Sequence, residues 1–324
     1  MESHGAERAD RRMDERIRGE RGRSGDAIRR IGRSDDGYPV QLREVPDGPD
    51  PLYVRGVLRR EDALAVAVVG SRRASDYGLG MAEELGRELA SRGVTIVSGL
   101  ARGIDGAAHR GAMRAGGRTV AVLGSGADVI YPPEHRGLAA RIAECGAVVS
   151  PFAPGTPPLA YHFPIRNRVI AGMALGVVVV EAADKSGALI TAGLAAELGR
   201  EVMAVPGRVT SATSRGTHGL IRDGATLVQG WEDVIAQLPA RWRECLRPVA
   251  ATGPVADAGR EAEPAGPGTD VVLSVIGEEA VTMDTVIERS GIGAGRAAAL
   301  LLELELDGRV RQIEGKRFVQ AGRV

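Results

Sequence analysis

The feature that most constrains the fold is a series of short, uninterrupted runs of apolar, largely β-branched residues between residues 64 and 228. They read LAVAVV, VTIVS, RTVAVL, AVVS, GVVVVEA, EVMAV and ATLV, and stretches with helical character separate them. A strand with one solvated face alternates apolar and polar residues, so an unbroken apolar run predicts a strand that is covered on both faces. Such strands alternating with helices predict an α/β fold, an extended Rossmann-like, mostly parallel sheet with helices on both faces.

Composition changes along the chain predict four segments. Residues 1–36 carry ten arginines and nine acidic residues with few large apolar side chains, which is typical of a disordered polyampholyte tail. Residues 37–242 contain all the apolar runs and form the predicted core. Residues 243–269 are rich in Pro, Ala and Gly and are predicted to be a linker. Residues 270–324 predict three helices followed by the hairpin RVRQIEGKRFVQ, the pattern of a small winged-helix domain.

Several classes of protein are disfavoured by composition. The sequence contains no apolar run of about 18 residues and begins with a charged segment, so we expect a cytoplasmic protein without a membrane span. Cys145 and Cys245 lie outside any CxxC or Cys/His cluster, which argues against zinc and for reduced thiols. Lys+Arg and Asp+Glu both number 42, so a nucleic-acid site would have to be local.

Four loops that directly follow apolar runs are rich in Gly, Ser and Arg. In a doubly wound sheet, ligands bind beyond the carboxyl ends of the strands. Glycine lets the backbone approach a phosphate, the next helix N-terminus offers N–H donors, and arginine adds a fork of donors. One such loop would be unremarkable, because strand-to-helix turns favour Gly and Ser, but four together predict an anion site. The loops are Gly70–Arg73, Ser98–Asp105, Gly124–Gly126 and Asp184–Gly187.

Known fingerprints of nucleotide enzymes are incomplete in this chain. GSGADV from Gly124 has two of the three glycines of the dinucleotide motif, and VTIVSGLARG lacks the acidic residue that would bind a ribose. GAAHRGAM from Gly106 lacks the Lys-Ser/Thr pair of a P-loop. The histidines have no evident Ser or Cys partner, and Glu181 at a strand end is expected to orient a loop. We therefore expect no catalysis, no cofactor and no metal.

The segment Tyr161–Arg168, YHFPIRNR, places three aromatic residues beside two arginines. Single-stranded nucleic acid is held by aromatic stacking platforms flanked by basic groups, so this segment is a candidate for that role, with Phe163 as the stacking residue. Judged from spacing alone, it is equally compatible with a Phe163 that packs under a loop and with arginines on a solvated helix face. Both interpretations stay open at this point.

These motifs together resemble the DNA-processing protein A family, DprA or Smf, over nearly the whole predicted core. The resemblance is carried by seven blocks in order, GYPVQLREVPDGPDPLYVRG, VAVVGSRRASDYG, IVSGLARGIDGAAHRGAM, TVAVLGSGADVIYPPEH, PPLAYHFPIRNRVIAG, VVVVEAADKSGALITA and AVPG. It implies a non-catalytic protein that binds single-stranded DNA irrespective of sequence, forms a homodimer and delivers the RecA recombinase to DNA during natural transformation and recombination. The largely apolar segment at residues 220–234 also favours dimerisation, although the sequence does not indicate which surface is used.

The resemblance also implies which residues contact DNA. Together with the stacking candidate Phe163, the predicted set is Ser71, Arg72, Ser98, Gly99, Arg102, Arg166, Asn167, Arg168, Lys185, Ser186 and Gly187. The chain departs from the family where a basic residue often follows YP, since it reads YPPEH with Glu134. The winged-helix segment has seven basic and nine acidic residues, so a partner or regulatory surface is expected there in preference to a second DNA site.

Two alternatives come from other functional classes. A nucleoside-monophosphate phosphoribohydrolase-like enzyme would use a similar sheet, but its PGGxGTxxE motif is missing. A small-nucleotide sensor would use the same anion-binding loops without polymeric DNA. A sensor saturates with mononucleotide, whereas a DNA-binding protein requires an oligomer.

Overall fold

The computed structural model of the chain describes residues 27–248, 269–276, 281–307, 309–313 and 317–320. It divides into two compact units, Met1–Ala250 and Ala251–Val324. Among the described residues, no helix is both long and apolar enough to span a membrane.

The first unit is built on a nine-stranded sheet of order β1-β2-β6-β5-β4-β3-β7-β8-β9. The seven strands from β6 to β9 are mutually parallel, whereas β2 runs antiparallel to β6, and β1 runs antiparallel to β2. The predicted mostly parallel sheet is thus confirmed. The strands are β1 Ile28–Ile31, β2 Leu52–Gly56, β3 Ala65–Val69, β4 Thr95–Ser98, β5 Thr119–Val122, β6 Ala147–Ser150, β7 Gly176–Val179, β8 Glu201–Ala204 and β9 Thr226–Leu227.

Helices cover both faces of this sheet, which explains why its strands have no polar face. Alternate residues of β3 enter different apolar layers: Ala65, Ala67 and Val69 pack on one face, Val66 and Val68 on the other. The helices are α1 Val40–Arg43, α2 Asp76–Ser91, α3 Ile104–Arg114, α4 Arg136–Cys145, α5 His162–Met173, α6 Gly187–Glu197, α7 Arg215–Arg222, α8 Trp231–Gln237 and α9 Ala240–Arg243. The first layer is completed by α1, α5 and α6, the second by α2, α3 and α8, and α4 packs on β5 and β6.

The predicted boundaries of the core are too narrow at both ends. Strand β1 lies in the segment that was expected to be a tail. It nevertheless belongs to the core, because Ile31 is buried there and Arg29 donates a hydrogen bond to the Gly56 carbonyl. Its sequence IRRI places two charged residues on an edge strand, which is one way in which natural sheets protect their edges. Because of these charges, the strand cannot be distinguished by sequence from the polar segment around it. At the other end, Leu246 packs on the second layer, so the apolar packing of the core extends beyond residue 242. The rest of the expected tail, residues 1–26, and residues 249–268 of the expected linker lie outside the described residues.

The second unit is a small winged helix, as predicted. Helices α10 Thr269–Val275, α11 Met283–Ser290 and α12 Ala294–Leu306 precede the hairpin strands β11 Val310–Ile313 and β12 Arg317–Gln320. Val272, Val286, Leu301 and Phe318 are among its buried core residues. The sequence prediction missed β10 Val281–Thr282, which pairs with β12, because two residues are too few to show a periodicity.

Candidate nucleic-acid interface

A cleft of about 610 Å³ lies between β3 and β7, where the order in which the chain adds strands to the sheet reverses. The chain leaves β3 toward β4 on one side, while β7 pairs with β3 on the other, so the loops after β3 and β7 diverge to opposite faces. Such a switch point is where open α/β sheets bind ligands. The cleft is lined by eight of the twelve predicted contact residues, Ser71, Arg72, Phe163, Arg166, Asn167, Lys185, Ser186 and Gly187.

The loop after β3 forms one wall and is anchored by its backbone. The Ser71 N–H donates to the Glu181 carbonyl at 2.7 Å, and the Ser71 carbonyl accepts from the Ile104 N–H at 3.2 Å. The side chains of Arg72 and Arg73 are exposed. The wall is therefore a fixed backbone that carries two solvated guanidinium groups, of which the sequence prediction named only Arg72.

Glu181 secures the same loop from the end of β7. Its carboxylate is buried and accepts hydrogen bonds from the Ser75 N–H at 2.9 Å and from the Ser75 hydroxyl at 2.5 Å. Ser75 in turn caps α2 by accepting from the Gly78 N–H. Glu181 thus orients the neighbouring loop, as expected from sequence, and its carboxylate has no free access to the cleft.

The opposite wall is the start of α6. Ser186 is the N-cap residue and accepts a hydrogen bond from the Ala188 N–H, and Lys185 beside it is exposed. A helix N-terminus presents unpaired N–H groups and the positive end of the helix dipole. Asn167 on α5 lies within 3.4 Å of the Gly187 carbonyl, so its amide holds this wall in place.

Arg166 is buried beneath the cleft and forms part of its floor. Its guanidinium donates to the Gly99 carbonyl and to the Val122 carbonyl, and its Nε has no hydrogen-bond partner among the described residues. Asp105, also buried, accepts from the N–H groups of Gly99 and Ala101. Burial lowers the pKa of Arg166 to about 10 although Asp105 opposes this shift, and burial raises the pKa of Asp105 although Arg166 opposes it.

Of the four predicted contacts that do not line this cleft, Ser98 and Arg168 are directed elsewhere. The Ser98 side chain is fully buried and its hydroxyl donates to the Val68 carbonyl at 2.6 Å, so it holds adjacent strands together. Arg168 lies 3.4 Å from the Pro46 carbonyl and 3.9 Å from the Glu197 carboxylate, beside a different cavity. Residues two apart on a helix do not share a face, which is why Arg166 and Arg168 diverge.

A second, smaller cleft continues from the first over the ring of Phe163. Four residues line both clefts, Arg72, Ala101, Phe163 and Arg166. Gly99, Arg102, Tyr131 and Pro132 line the second cleft alone. The remaining predicted contacts, Gly99 and Arg102, are therefore adjacent to the others, along a path that crosses Phe163.

The Arg102 guanidinium is paired with the carboxylate of Glu134, to which its Nε donates a hydrogen bond. This pair raises the pKa of Arg102 and lowers the pKa of Glu134 through the hydrogen bond and the attraction between the charges. Glu134, the acidic residue of the YPPEH segment, is thus held beside Arg102, which lines the second cleft.

Of the three aromatic residues in the YHF segment, only Phe163 lines the clefts. Its ring is half-buried, with the guanidinium carbons of Arg72 and Arg166 at 5.3 Å and 5.6 Å from its centroid. Tyr131, whose ring centroid lies 6.2 Å away, is a second exposed aromatic that the sequence prediction missed. The signal available was its place directly after the third parallel strand's loop, in VIYPP.

One histidine of the core, His109, is a buried residue with a hydrogen-bond partner inside the protein. His109 is fully buried on α3 and its Nδ1 is hydrogen-bonded to the Thr119 hydroxyl at 2.7 Å. Burial lowers its pKa to about 3, so the ring is neutral at physiological pH. Within the described ranges, no cluster of three or more His, Cys, Asp or Glu side chains could hold a metal ion.

Comparison with known proteins gives one consistent family. Residues 29–239 match the family model for DNA recombination-mediator protein A, and residues 256–316 match the DprA winged helix domain. The chain is 43% identical over 281 residues to Protein Smf of Escherichia coli, covering 86% of this chain and 74% of that protein. It is 46% identical over 203 residues to the DNA processing protein DprA of Streptococcus pneumoniae, covering 63% and 72%.

Two solved structures share this fold. The X-ray structure of DNA processing protein A from Streptococcus pneumoniae has 44% identity and a TM-score of 0.62, over 66% of this chain and 76% of that chain. A structure of DNA processing protein A from Helicobacter pylori, whose description concerns its unique single-stranded DNA binding mode, has 27% identity and a TM-score of 0.58, over 65% and 95%.

Proposed function

The chain belongs to the DNA recombination-mediator protein A family, and from this premise we propose that it binds single-stranded DNA, irrespective of base sequence, in the cleft between the ends of β3 and β7. One observation carries the proposal. The exposed cations Arg72, Arg73 and Lys185 and the N-terminus of α6 converge on one cleft that also exposes an aromatic ring. Cations and N–H donors suit the phosphates of a strand, and the ring of Phe163 suits a base.

The chemistry of the cleft favours backbone contacts over base recognition. Its charged groups are guanidinium and ammonium groups, which contact phosphate oxygens and carry no sequence information. The single-stranded DNA bound by the Helicobacter pylori protein supports the same class of ligand here. A cleft of about 610 Å³ would also accept a mononucleotide, so the nucleotide sensor is the alternative that the experiment has to separate.

The test is a fluorescence anisotropy titration with single-stranded DNA, double-stranded DNA and a mononucleotide, each at several salt concentrations. We expect tight binding of the single strand alone, with log K falling against log salt at a slope of roughly −2 to −3, because each phosphate neutralised contributes about −0.7. Arg72→Ala should weaken all sequences alike and make the slope shallower by about 0.7.

Arg141→Ala is the matched control, because Arg141 is exposed on α4 and lines neither cleft. It should leave affinity and slope unchanged. If a mononucleotide saturates the protein at the same concentration at which it displaces the DNA, the nucleotide sensor is favoured. A wild-type protein that does not bind single-stranded DNA would refute the proposal.

The family extends the proposal to partners. We further propose that the chain forms a homodimer, loads RecA on single-stranded DNA, and acts without catalysis, since Glu181 and Asp105 beside the cleft are buried and hydrogen-bonded within the protein. Faster assembly of RecA on a single strand in the presence of this chain is the expected result. Light scattering at micromolar concentration that detects only a 33.9 kDa species would contradict the dimer.

A further inference from the structure

A strand that ran from the first cleft past Phe163 into the second would meet the pair formed by Arg102 and Glu134. Arg102 lines the second cleft, and its side chain is 57% exposed, against 49% for Glu134. A phosphate that reached Arg102 would meet a guanidinium group that already has a carboxylate partner. Both groups are solvated, so exchange of one anion for the other requires no unfolding.

Glu134 is held toward Arg102 by the backbone around it. It lies in the short 3-10 turn Pro133–His135, and the His135 ring nitrogen Nδ1 is hydrogen-bonded at 2.9 Å to the carbonyl of Leu100. Leu100 is two residues before Arg102 and has a positive φ of 55°. The turn that carries the acid is thus tied to the loop that carries the base, and the two side chains are kept within reach of each other.

The other carboxylate at the clefts differs in kind. Asp105 is buried, and its oxygen accepts hydrogen bonds from two backbone N–H groups, so it cannot be exchanged without disturbing the loop. Glu134 has Arg102 as its side-chain partner at the rim and faces solvent on its other side. It therefore has the properties of a replaceable anion, whereas Asp105 has those of a structural one.

We propose that Glu134 competes with DNA phosphate for Arg102, so that a strand gains this contact only when it is long enough to cross Phe163 and displace the carboxylate. This inference rests on the proposed binding of single-stranded DNA and concerns how that site is regulated. Its consequence is a dependence on strand length. A short oligomer in the first cleft leaves the pair intact, and a longer one has to break it.

The experiment is a double-mutant cycle on the full chain with Glu134→Gln, Arg102→Ala and the combination, measured with oligonucleotides of about 4 and about 16 nucleotides. With the long oligomer, Glu134→Gln should raise affinity about two- to fivefold, the range for an exposed ion pair, and steepen the salt slope by up to about 0.7. In the Arg102→Ala background the same substitution should change neither quantity. With the short oligomer, all four proteins should bind alike.

Glu144→Gln, an exposed acid on α4 that lines neither cleft, controls for the loss of a negative charge. Equal gains from Glu134→Gln with and without Arg102 would show a general charge effect and overturn the competition. Equal gains with both oligomers would overturn the length dependence. A wild-type protein that fails to bind the long oligomer would refute the proposed function itself, which is a different outcome from either of these.

Discussion

Gly99 leaves room for the guanidinium group of Arg166, and this missing side chain decides which arginine lies beneath the clefts. A Cβ atom at position 99 would lie 1.7 Å from Arg166 Nη1. With glycine there, Arg166 reaches the Gly99 and Val122 carbonyls and ties the ends of β4 and β5 together. Arg166 accordingly holds these two loops in place, and the exposed Arg72, Arg73 and Lys185 are the side chains that we propose for the phosphates.

Phe163 is the residue whose role the structure makes testable. Phe163→Ala should lower the affinity for single-stranded DNA by about 5- to 160-fold, corresponding to roughly 1–3 kcal/mol per stacked base, and leave the salt slope unchanged because no charge is lost. The measurement is the same anisotropy titration, with a thermal melt beside it.

Tyr161→Ala is its matched control, because Tyr161 is 66% exposed, lies two residues away and lines neither cleft. We expect it to bind as the wild type does. If Phe163→Ala lowers the melting temperature while affinity stays unchanged, the ring is a packing residue and the stacking role is wrong.

Three of the four predicted loops contribute residues to the clefts, whereas Gly124–Gly126 lines neither, and sequence reasoning could not tell which side chains in the loops are accessible. Ser98 and Arg168 both fit the motif. However, the Ser98 hydroxyl is hydrogen-bonded between two strands, and the Arg168 side chain lies on a different face of its helix from Arg166. Tyr131 and Arg73 were missed for the converse reason, since neither belongs to a recognisable spacing. Accessibility depends on packing between distant segments, which local spacing does not contain.

At the scale of elements, the cleft depends on a link between β7 and the start of α2. Glu181 joins them by accepting two hydrogen bonds from Ser75, and its side chain packs so closely on Gly78 that a Cβ atom there would lie 2.6 Å from the Glu181 carboxyl carbon. The loop Gly70–Ala74, which carries Arg72, lies between these anchored points. Its position is therefore set by elements that are far apart in sequence.

Glu181→Gln should lower the free energy of unfolding by about 1–3 kcal/mol, because a neutral amide replaces a buried charged acceptor. Loss of this anchor should disorder the cleft wall after β3 and thereby lower the affinity for DNA, while the slope of log K against log salt stays the same. Urea denaturation together with the anisotropy titration measures both effects. Glu197→Gln, an exposed acid on α6, should change stability little.

The same variant tests the absence of catalysis. Neither the wild type nor Glu181→Gln should hydrolyse ATP or nucleoside monophosphates. A turnover that is present in the wild type and abolished by the substitution would show that Glu181 is a catalytic residue.

The elements of the core were largely predictable, and the exceptions have a physical cause. Buried parallel strands such as β3 and β7 leave unbroken apolar runs, and the caps Ser75 and Ser186 mark the helices that follow. The antiparallel edge strand β1 was missed because an edge needs charge on its surface, so it has no apolar run.

For the whole molecule, the placement of the clefts predicts that the winged helix is dispensable for binding. All residues that line either cleft fall between positions 69 and 191, within the first unit. The winged-helix segment carries nine acidic and seven basic residues, so it adds no favourable charge.

A protein of residues 27–248 should therefore retain single-strand affinity within about twofold of the full chain, a difference well below one lost contact. The shorter form that ends at residues 37 and 242 is the comparison, since it removes strand β1 and should be less stable. A large loss of affinity in the 27–248 protein, with its melting temperature intact, would show that the winged helix contacts DNA.

The wall of the cleft after β3 and the wall after β7 are more than a hundred positions apart in the chain, at Arg72 and Lys185. A strand that lay across both walls would contact residues that only the folded chain brings together, and the unfolded chain would offer it no comparable site. Binding and folding are consequently linked by mass action: at a DNA concentration about a hundredfold above Kd, the bound strand adds about 2.7 kcal/mol to the stability of the core. Bound DNA would therefore act as a reversible cross-link between the two walls of the folded core.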